Sequence, residues 1–314
     1  MSENMRAISQ DILGGPEVLT EVQLPRPVPG PGEILVRVRA AGLNPTDWKH
    51  RANGGFLGTP PFVLGWDVSG EVAETGVGVT LFQPGDEVFG MLPYPYGHGA
   101  LAEYVVGPAR AFAGKPANLD HVQAAAIPLA ALTAWQALVD TADLHAGQRV
   151  LIHAAAGGVG HFAVQIAKAR GAYVIGTASA PNHDFLRSIG ADEVIDYRTT
   201  DVAEAVRDVD VVLDSITDEN SIRSLRTLRP GGLLVTLRPI GEVDLAAEAN
   251  KLGVRALRML VEDDHAGMVA LAGLIDSGKL RPTIAGTFPL TDAAKAHALG
   301  DTGRTVGKLV VTVP

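Results

Sequence analysis

One stretch constrains this chain more than any other: Arg149-Val-Leu-Ile-His-Ala-Ala-Ala-Gly-Gly-Val-Gly160, running into His161-Phe-Ala-Val-Gln-Ile-Ala-Lys-Ala-Arg-Gly171. Its apolar, β-branched opening predicts a buried strand. A glycine-rich turn follows. Val159, Phe162, Ala163, Ile166 and Ala167 then recur at helical spacing, and Gly171 sits where a helix C-cap belongs. Strand, tight turn and helix N-terminus together make an anion site. Backbone N–H groups and the positive helix end face the ligand, and glycine lets the backbone approach it closely. Ala155 stands where the first glycine of G-x-G-x-x-G falls, while Gly157 and Gly160 hold the second and third places. The turn alone therefore leaves an ordinary strand-to-helix connection open. Gly157, Gly158, Val159 and Gly160 are the candidate phosphate-facing residues.

The next segment narrows the choice. Tyr173-Val-Ile-Gly-Thr177 predicts a second strand, parallel to the first, with the helix as crossover. Its end lies about twenty residues past the glycines, where a dinucleotide fold meets the adenosine ribose. An NAD-reading protein places Asp or Glu there. This chain has Thr177-Ala-Ser-Ala-Pro-Asn-His183, with no carboxylate before Asp184. A neutral or positive environment tolerates a 2′-phosphate, so NADPH is the expected cofactor. Ser179, Asn182, His183 and Tyr197 are the candidate phosphate contacts.

Composition excludes other classes. A net charge of −9 with interleaved signs argues against a nucleic-acid or anionic-membrane surface. The N-terminus, Met-Ser-Glu-Asn-Met-Arg, lacks the regions of a signal peptide. The longest apolar stretch, Ala124 to Trp135, is too short to span a bilayer and contains Pro128. A cytoplasmic location is expected. The chain has no cysteine, so no disulfide or thiolate–metal site can form. Its nine histidines show no paired spacing, and no metal is expected.

Three regions follow along the chain. Residues 1–124 are rich in Pro, Gly and short β-like runs such as Glu33–Ala40, where Ile34, Val36 and Val38 alternate as in a half-buried strand. This predicts a barrel-like β domain. Residues 125–262 alternate strands and helices. Val209–Leu213 is a buried strand ending at Asp214-Ser215; Ser221 to Leu228 is helical; Pro230-Gly-Gly232 turns the chain; Leu233–Leu237 is the next strand. This predicts a doubly wound parallel sheet. Residues 263–314 hold helices near His265–Ser277 and Ala293–Leu299 and a terminal strand, Lys308–Val313, which needs a partner sheet.

The order and spacing of several segments carry a resemblance over nearly the whole length. They are Gly42-Leu-Asn-Pro-Thr-Asp-Trp-Lys49, Gly65-Trp-Asp-Val-Ser-Gly70, Pro84-Gly-Asp-Glu-Val88 and Gly99-Ala-Leu-Ala-Glu-Tyr104. Ala126-Ile-Pro-Leu-Ala-Ala-Leu-Thr-Ala-Trp135, the glycine turn, Gly190-Ala-Asp192, Asp196-Tyr197 and Gly307-Lys308 complete the set. The chain resembles the medium-chain dehydrogenase/reductase superfamily in its zinc-independent quinone-oxidoreductase, ζ-crystallin-like branch. That resemblance implies an α/β protein with a GroES-like catalytic domain, to which the C-terminal segment returns, and a Rossmann domain, with a cofactor cleft between them. In zinc alcohol dehydrogenases a cysteine near position 44 and a histidine near position 66 bind the metal; here these positions are Asn44 and Trp66. Without a Lewis acid, reduction of a quinone or an α,β-unsaturated carbonyl fits better than alcohol oxidation.

The resemblance also implies roles for single residues. Asn44 and Thr133 match positions near the nicotinamide and its ribose. Leu237 and Arg238 come from a strand end lining the same cleft. Lys49 stands where many relatives have tyrosine, and could bond the ribose or stabilise a developing enolate; the alternative is a solvated lysine. Ser215 and Lys308 complete the candidate cofactor set. Tyr94, Tyr96 and His98 form either an acceptor-side wall and proton source or a surface loop. Asp47, Asp67 and Asp86 are expected to hold turns. The expected function is NADPH-dependent reduction of a quinone or enone by a homodimer paired through a Rossmann edge strand within Val254–Leu260. Alternatives are an enoyl reductase acting on a biosynthetic thioester and a non-catalytic NADPH-binding structural or sensing protein.

Overall fold

Among the described residues eight strands precede residue 120: β1 (Asn4–Gln10), β2 (Thr20–Pro25), β3 (Glu33–Leu43), β4 (Phe62–Val63), β5 (Asp67–Thr75), β6 (Glu87–Met91), β7 (Tyr104–Pro108) and β8 (Phe112–Gly114). This computed structural model describes residues 4–238, 241 and 243–314. β3 is the spine of the first unit. β5 runs antiparallel along one edge of it, and β7 pairs with its first half on the other. Ile34, Val36 and Val38 are buried as the alternation predicts, but so is Leu35, because both faces of β3 are covered. Helices α1 (Pro45–Asn53), α2 (His121–Ala125) and α3 (Pro128–Trp135) follow in chain order. Pro45 at the first helical position pre-sets its dihedral, and Asp47 in the first turn accepts the Asn44 backbone N–H at 2.7 Å, so the Asn-Pro-Thr-Asp spacing starts α1.

Residues 133–261 form the second unit. Its strands are β9 (Arg149–Ile152), β10 (Tyr173–Ala178), β11 (Glu193–Asp196), β12 (Val209–Asp214), β13 (Leu228–Thr236) and β14 (Arg255–Arg258). All pair in parallel, in the order β11-β10-β9-β12-β13-β14. This is the 3-2-1-4-5-6 order of dinucleotide-binding sheets. Leu151, Ile175, Val212 and Leu234, one from each of four central strands, share a core with Leu225, Leu245 and Val254. Near-continuous apolar strands are what a parallel sheet covered on both faces requires. Helix α4 (Gly160–Ala169) buries Phe162, Ala163, Ile166 and Ala167, and Gly171, at φ +80°, lets the chain leave it. One expectation is corrected. Pro230-Gly-Gly232 does not separate two elements but is an excursion inside β13. Pairing jumps from Val209 with Leu228 to Val211 with Leu233, so Leu228 belongs to the strand, and the preceding helix starts and ends earlier than expected, at Asp218–Ser224.

The chain then rejoins the first unit, which comprises residues up to 132 together with 262–314. β16 (Lys308–Thr312) lies between β15 (Ile284–Pro289) and the second half of β3, giving the order β15-β16-β3-β5-β6-β8. The sequence reading placed the first boundary at 124/125. In the structure Asp67 Oδ1 accepts the Leu129 backbone N–H at 2.6 Å, which ties the start of α3 to β5, and the first unit extends to Leu132. No described helix is long and apolar enough to cross a membrane.

Candidate dinucleotide and acceptor sites

The turn from Ala154 to Val159 carries β9 into α4. Two bonds to Thr177 of β10 brace it: Ala155 N–H donates to the backbone carbonyl at 3.0 Å and Ala154 N–H to Oγ1 at 3.3 Å. Ala154 sits at φ +48°, a left-handed conformation that costs an L-residue about 1 kcal/mol. Gly160 is required by packing, since a Cβ there would lie 2.3 Å from Ala154 O. Gly157 differs: a Cβ would meet only Ala154 O, at 3.2 Å, so its other side is open. No side chain caps the N-terminus of α4. Open glycine backbone and uncapped N–H groups fit a pyrophosphate, so the residues present suit a dinucleotide.

Beneath the turn, His153 Nε2 bonds Ser224 Oγ at 2.8 Å, and its Nδ1 faces Thr177 Oγ1 at 3.4 Å. Burial pushes this imidazole's pKa down, against the opposing pull of Asp214. It acts as a neutral tie. Asp214 ends β12 with both carboxylate oxygens used: Oδ1 accepts from Ile216 N at 2.9 Å and Asn220 Nδ2 at 3.1 Å, and Oδ2 from Ser221 Oγ at 2.7 Å. Sequence reasoning singled out neither network.

The remaining cofactor candidates of this unit follow strand ends at the same, C-terminal edge of the sheet. Ser179 follows β10, Tyr197 follows β11, Ser215 follows β12, and Leu237 and Arg238 follow β13. Ser215 and Tyr197 are exposed, whereas Ser179, Asn182 and His183 are half-buried around helix α5 (His183–Ser188). His183 Nε2 lies 3.3 Å from Ala178 O, and Asn182 Nδ2 3.5 Å from Ser179 Oγ. Arg238 is pinned by Ile216 O at 3.3 Å and Asp218 at 3.7 Å. One feature was missed: Asp196 brings a carboxylate from β11 to this loop. Its oxygens accept the backbone N–H groups of Ala180 at 3.2 Å and Arg198 at 2.9 Å.

The first unit contains a buried polar knot under the start of α1. Lys308 Nζ donates to Asn44 Oδ1 and to Asp67 Oδ2, the latter at 3.2 Å, and Asn44 Nδ2 donates to Asp67 Oδ2 at 2.9 Å. The side chains of Lys308 and Asp67 are 2% and 0% exposed. Burial pushes the Asp67 carboxyl up, and Lys308 is the main force holding it down. Asp47, also fully buried, is pushed up to about 7 by burial, with the charge of Asp67 adding to the rise. Asn44 and Lys308 are thus brought together across 264 residues, each engaged by the other and by Asp67. Thr133 is buried one turn along α3 from Leu129, and Lys49 lies on the exposed side of α1. The expectation that Asp47 and Asp67 hold backbone amides is met: each accepts an N–H, from Asn44 and Leu129 respectively. Asp86 accepts the Gln83 N–H at 2.8 Å in its turn.

Beside the knot, Tyr94 packs edge-on against Trp66, His50 and Phe56, at centroid distances of 5.4, 6.4 and 6.3 Å. Its hydroxyl lies 2.9 Å from Thr46 Oγ1. His98 also packs on Trp66 and bonds Val63 O at 2.6 Å, whereas Tyr96 is 74% exposed and stands apart. Among the described residues no group of three or more His, Asp or Glu side chains is placed to hold a metal ion.

Residues 30–117 match the alcohol dehydrogenase GroES-like domain and residues 189–311 the zinc-binding dehydrogenase family. The chain is 35% identical to the mitochondrial NAD(P)H oxidoreductase RTN4IP1 of Danio rerio, over 90% of this chain and 84% of that protein. The quinone oxidoreductase of Coxiella burnetii superposes with a TM-score of 0.94 at 38% identity, covering 99% of this chain and all of the other. The Escherichia coli quinone oxidoreductase complexed with NADPH gives a TM-score of 0.89 at 31% identity, over 98% and 99% of the two chains.

Proposed function

This chain belongs to the medium-chain dehydrogenase/reductase superfamily, among its quinone-oxidoreductase relatives, and is an NAD(P)H-dependent oxidoreductase; from that premise we propose that it prefers NADPH and reduces quinones or related enones without zinc. The observation that carries this reading is the open Gly157 turn on the uncapped N-terminus of α4, in a sheet of dinucleotide-binding order. Bound NADPH would supply the hydride.

The chain's own residues do the rest. The turn from Gly157 to Gly160 holds the pyrophosphate through the backbone N–H groups that follow Gly157, whose own N–H is taken by Ala154 O at 2.9 Å, and the α4 dipole adds to their pull. Ser179, Asn182 and His183 surround the 2′-phosphate, while Asp196 is occupied by two backbone amides and so repels that phosphate less than an unpartnered carboxylate would. Asn44 and Trp66 occupy positions where zinc-dependent relatives carry metal ligands, which supports an acceptor needing little electrophilic help. We place that acceptor against the α1 face of the GroES-like unit. The parallel edge strand β14 offers unpaired backbone groups that a two-fold partner can satisfy, and we propose a homodimer through it.

Calorimetric titration tests the cofactor. NADPH should bind at least tenfold tighter than NADH, about 1.4 kcal/mol, and Ser179→Asp should reverse the order. Equal affinity would overturn the preference. NADPH oxidation against a panel of quinones, enones and enoyl thioesters tests the acceptor; turnover of thioesters alone would replace the quinone reading with an enoyl reductase.

A further inference from the structure

We infer that the Tyr94 phenol is the hydrogen-bond and proton donor to the acceptor's carbonyl oxygen, with Thr46 and His50 as positioning residues behind it. The inference rests on the reductase reading above and goes further in naming the donor.

Hydrogen-bond roles around Tyr94 can be assigned from the backbone outward. His50 Nε2 accepts the Phe56 backbone N–H at 3.1 Å, so this nitrogen carries no proton. The ring proton is then on Nδ1, which donates to Thr46 O at 2.7 Å and lies 3.0 Å from Thr46 Oγ1. A protonated Nδ1 cannot accept from Oγ1, which leaves the Thr46 hydroxyl proton for Tyr94, 2.9 Å away, and we assign it there. Tyr94 Oη therefore receives a hydrogen bond, and its own proton remains for an outside acceptor. A hydroxyl that accepts one hydrogen bond donates a stronger one.

Packing makes the donor rigid. Three rings meet the phenol edge-on, and Trp66 and His50 are themselves in contact at 5.2 Å. A fixed donor reorganises little when charge develops on the substrate oxygen. Nearby alternatives are otherwise engaged. Burial pushes the His50 imidazole down, keeping it neutral in the tautomer described, while Asn44, Asp67 and Lys308 bond one another. Tyr94 is itself held above the ordinary phenol range by burial and by the Asp47 charge, with the Thr46 bond offsetting part of the rise. It stays protonated through neutral pH and is half-buried, so its hydroxyl can serve as a donor at the rim of the cage.

The step balances. Hydride adds to the β-carbon of an enone, and the displaced π pair moves onto the carbonyl oxygen. The Tyr94 proton passes to that oxygen, giving the enol, which tautomerises in water. A quinone ends as the hydroquinone by the same transfer. Solvent water returns a proton to the phenolate through Thr46 Oγ1.

Two readouts test this. NADP⁺-loaded protein is titrated with 4-nitrophenolate, an oxyanion probe that needs a donor but takes no hydride. Tyr94→Phe, which keeps the ring, should bind it at least tenfold more weakly, and Thr46→Val should fall between. In turnover, Tyr94→Phe should lower kcat/KM for an enone at least tenfold while NADPH affinity stays within twofold. A Tyr94→Phe variant within twofold of the active wild type in both assays overturns the inference alone. A wild type that oxidises NADPH with no quinone or enone overturns the reductase reading, and this donor with it. If Tyr94→Phe does not fold, Thr46→Val decides, and unchanged probe binding there overturns the assignment.

Discussion

Replacing Lys308 by methionine removes the ammonium of the buried knot and keeps an unbranched side chain one atom shorter. The Nζ–Oδ2 separation of 3.2 Å corresponds to about 5 kcal/mol of attraction at an effective dielectric of ~20. Desolvation of two groups at 2% and 0% exposure cancels much of that in the intact pair. Removing one partner does not return the balance to zero. Asp67 stays in place with the Leu129 and Asn44 donors but no counter-charge, and Asn44 Oδ1 loses its donor. The expected loss is about 3–5 kcal/mol at pH 7, as for other broken buried pairs. Urea denaturation followed by circular dichroism measures it. Pairing the change with Asp67→Asn should recover a substantial part, because the unpaired charge is gone. The deficit should also shrink as pH falls. Without Lys308 the folded-state carboxyl of Asp67 moves further above its unfolded value, so the folded variant binds the extra proton and gains stability on acidification. A loss under about 1 kcal/mol, or a double variant no more stable than Lys308→Met, would refute the assignment of an electrostatic knot.

Four further outcomes follow from the geometry. Ala154→Gly should stabilise the protein by about 0.5–1 kcal/mol by relieving the left-handed alanine, raising the thermal midpoint by a degree or more. Gly160→Ala should damage folding and dinucleotide binding together, whereas Gly157→Ala should lower the melting temperature far less than Gly160→Ala while still losing NADPH affinity, which calorimetry separates. Asp47, with a folded-state pKa raised to about 7, contributes stability that is full below pH 4 and is lost as pH rises through 7; Asp47→Asn should flatten that slope in denaturation curves recorded between pH 5 and 8. Leu257→Glu on β14 should halve the mass seen by light scattering if that edge pairs two chains.

What was legible in the sequence was local. The glycine turn, the amphipathic α4 and the strand ends with their small polar residues depend on neighbours within a few positions, and periodicity reports them. The Asn-Pro-Thr-Asp start of α1 is an equally local capping pattern, although the segment reads there only as part of a family resemblance with Asp47 holding a turn. Long-range polar pairing was not. Lys308 meets Asn44 and Asp67 from the far end of the chain, and Asp196 reaches Ala180 across two strands. The one available signal was a lysine opening the apolar run Lys308-Leu-Val-Val, since a cation at the start of a buried strand needs an anion nearby. Tyr94 was legible only as one of three residues with Tyr96 and His98, an acceptor-side wall and proton source or a surface loop. Its separation from Tyr96 and its place on Thr46 depend on how that loop folds back over Trp66.

The position of β16 also sets an order of events during synthesis. The segment that fills the gap between β15 and β3 leaves the ribosome some fifty residues after residues 133–261 are complete. The nucleotide-binding half can therefore fold on the nascent chain. The GroES-like half must wait with half of β3 unpaired and Asp67 without its cation. A truncation removing residues 308–314 should leave that half exposed, tending to aggregate and dependent on chaperones, even though the deleted strand carries none of the glycines of the nucleotide turn.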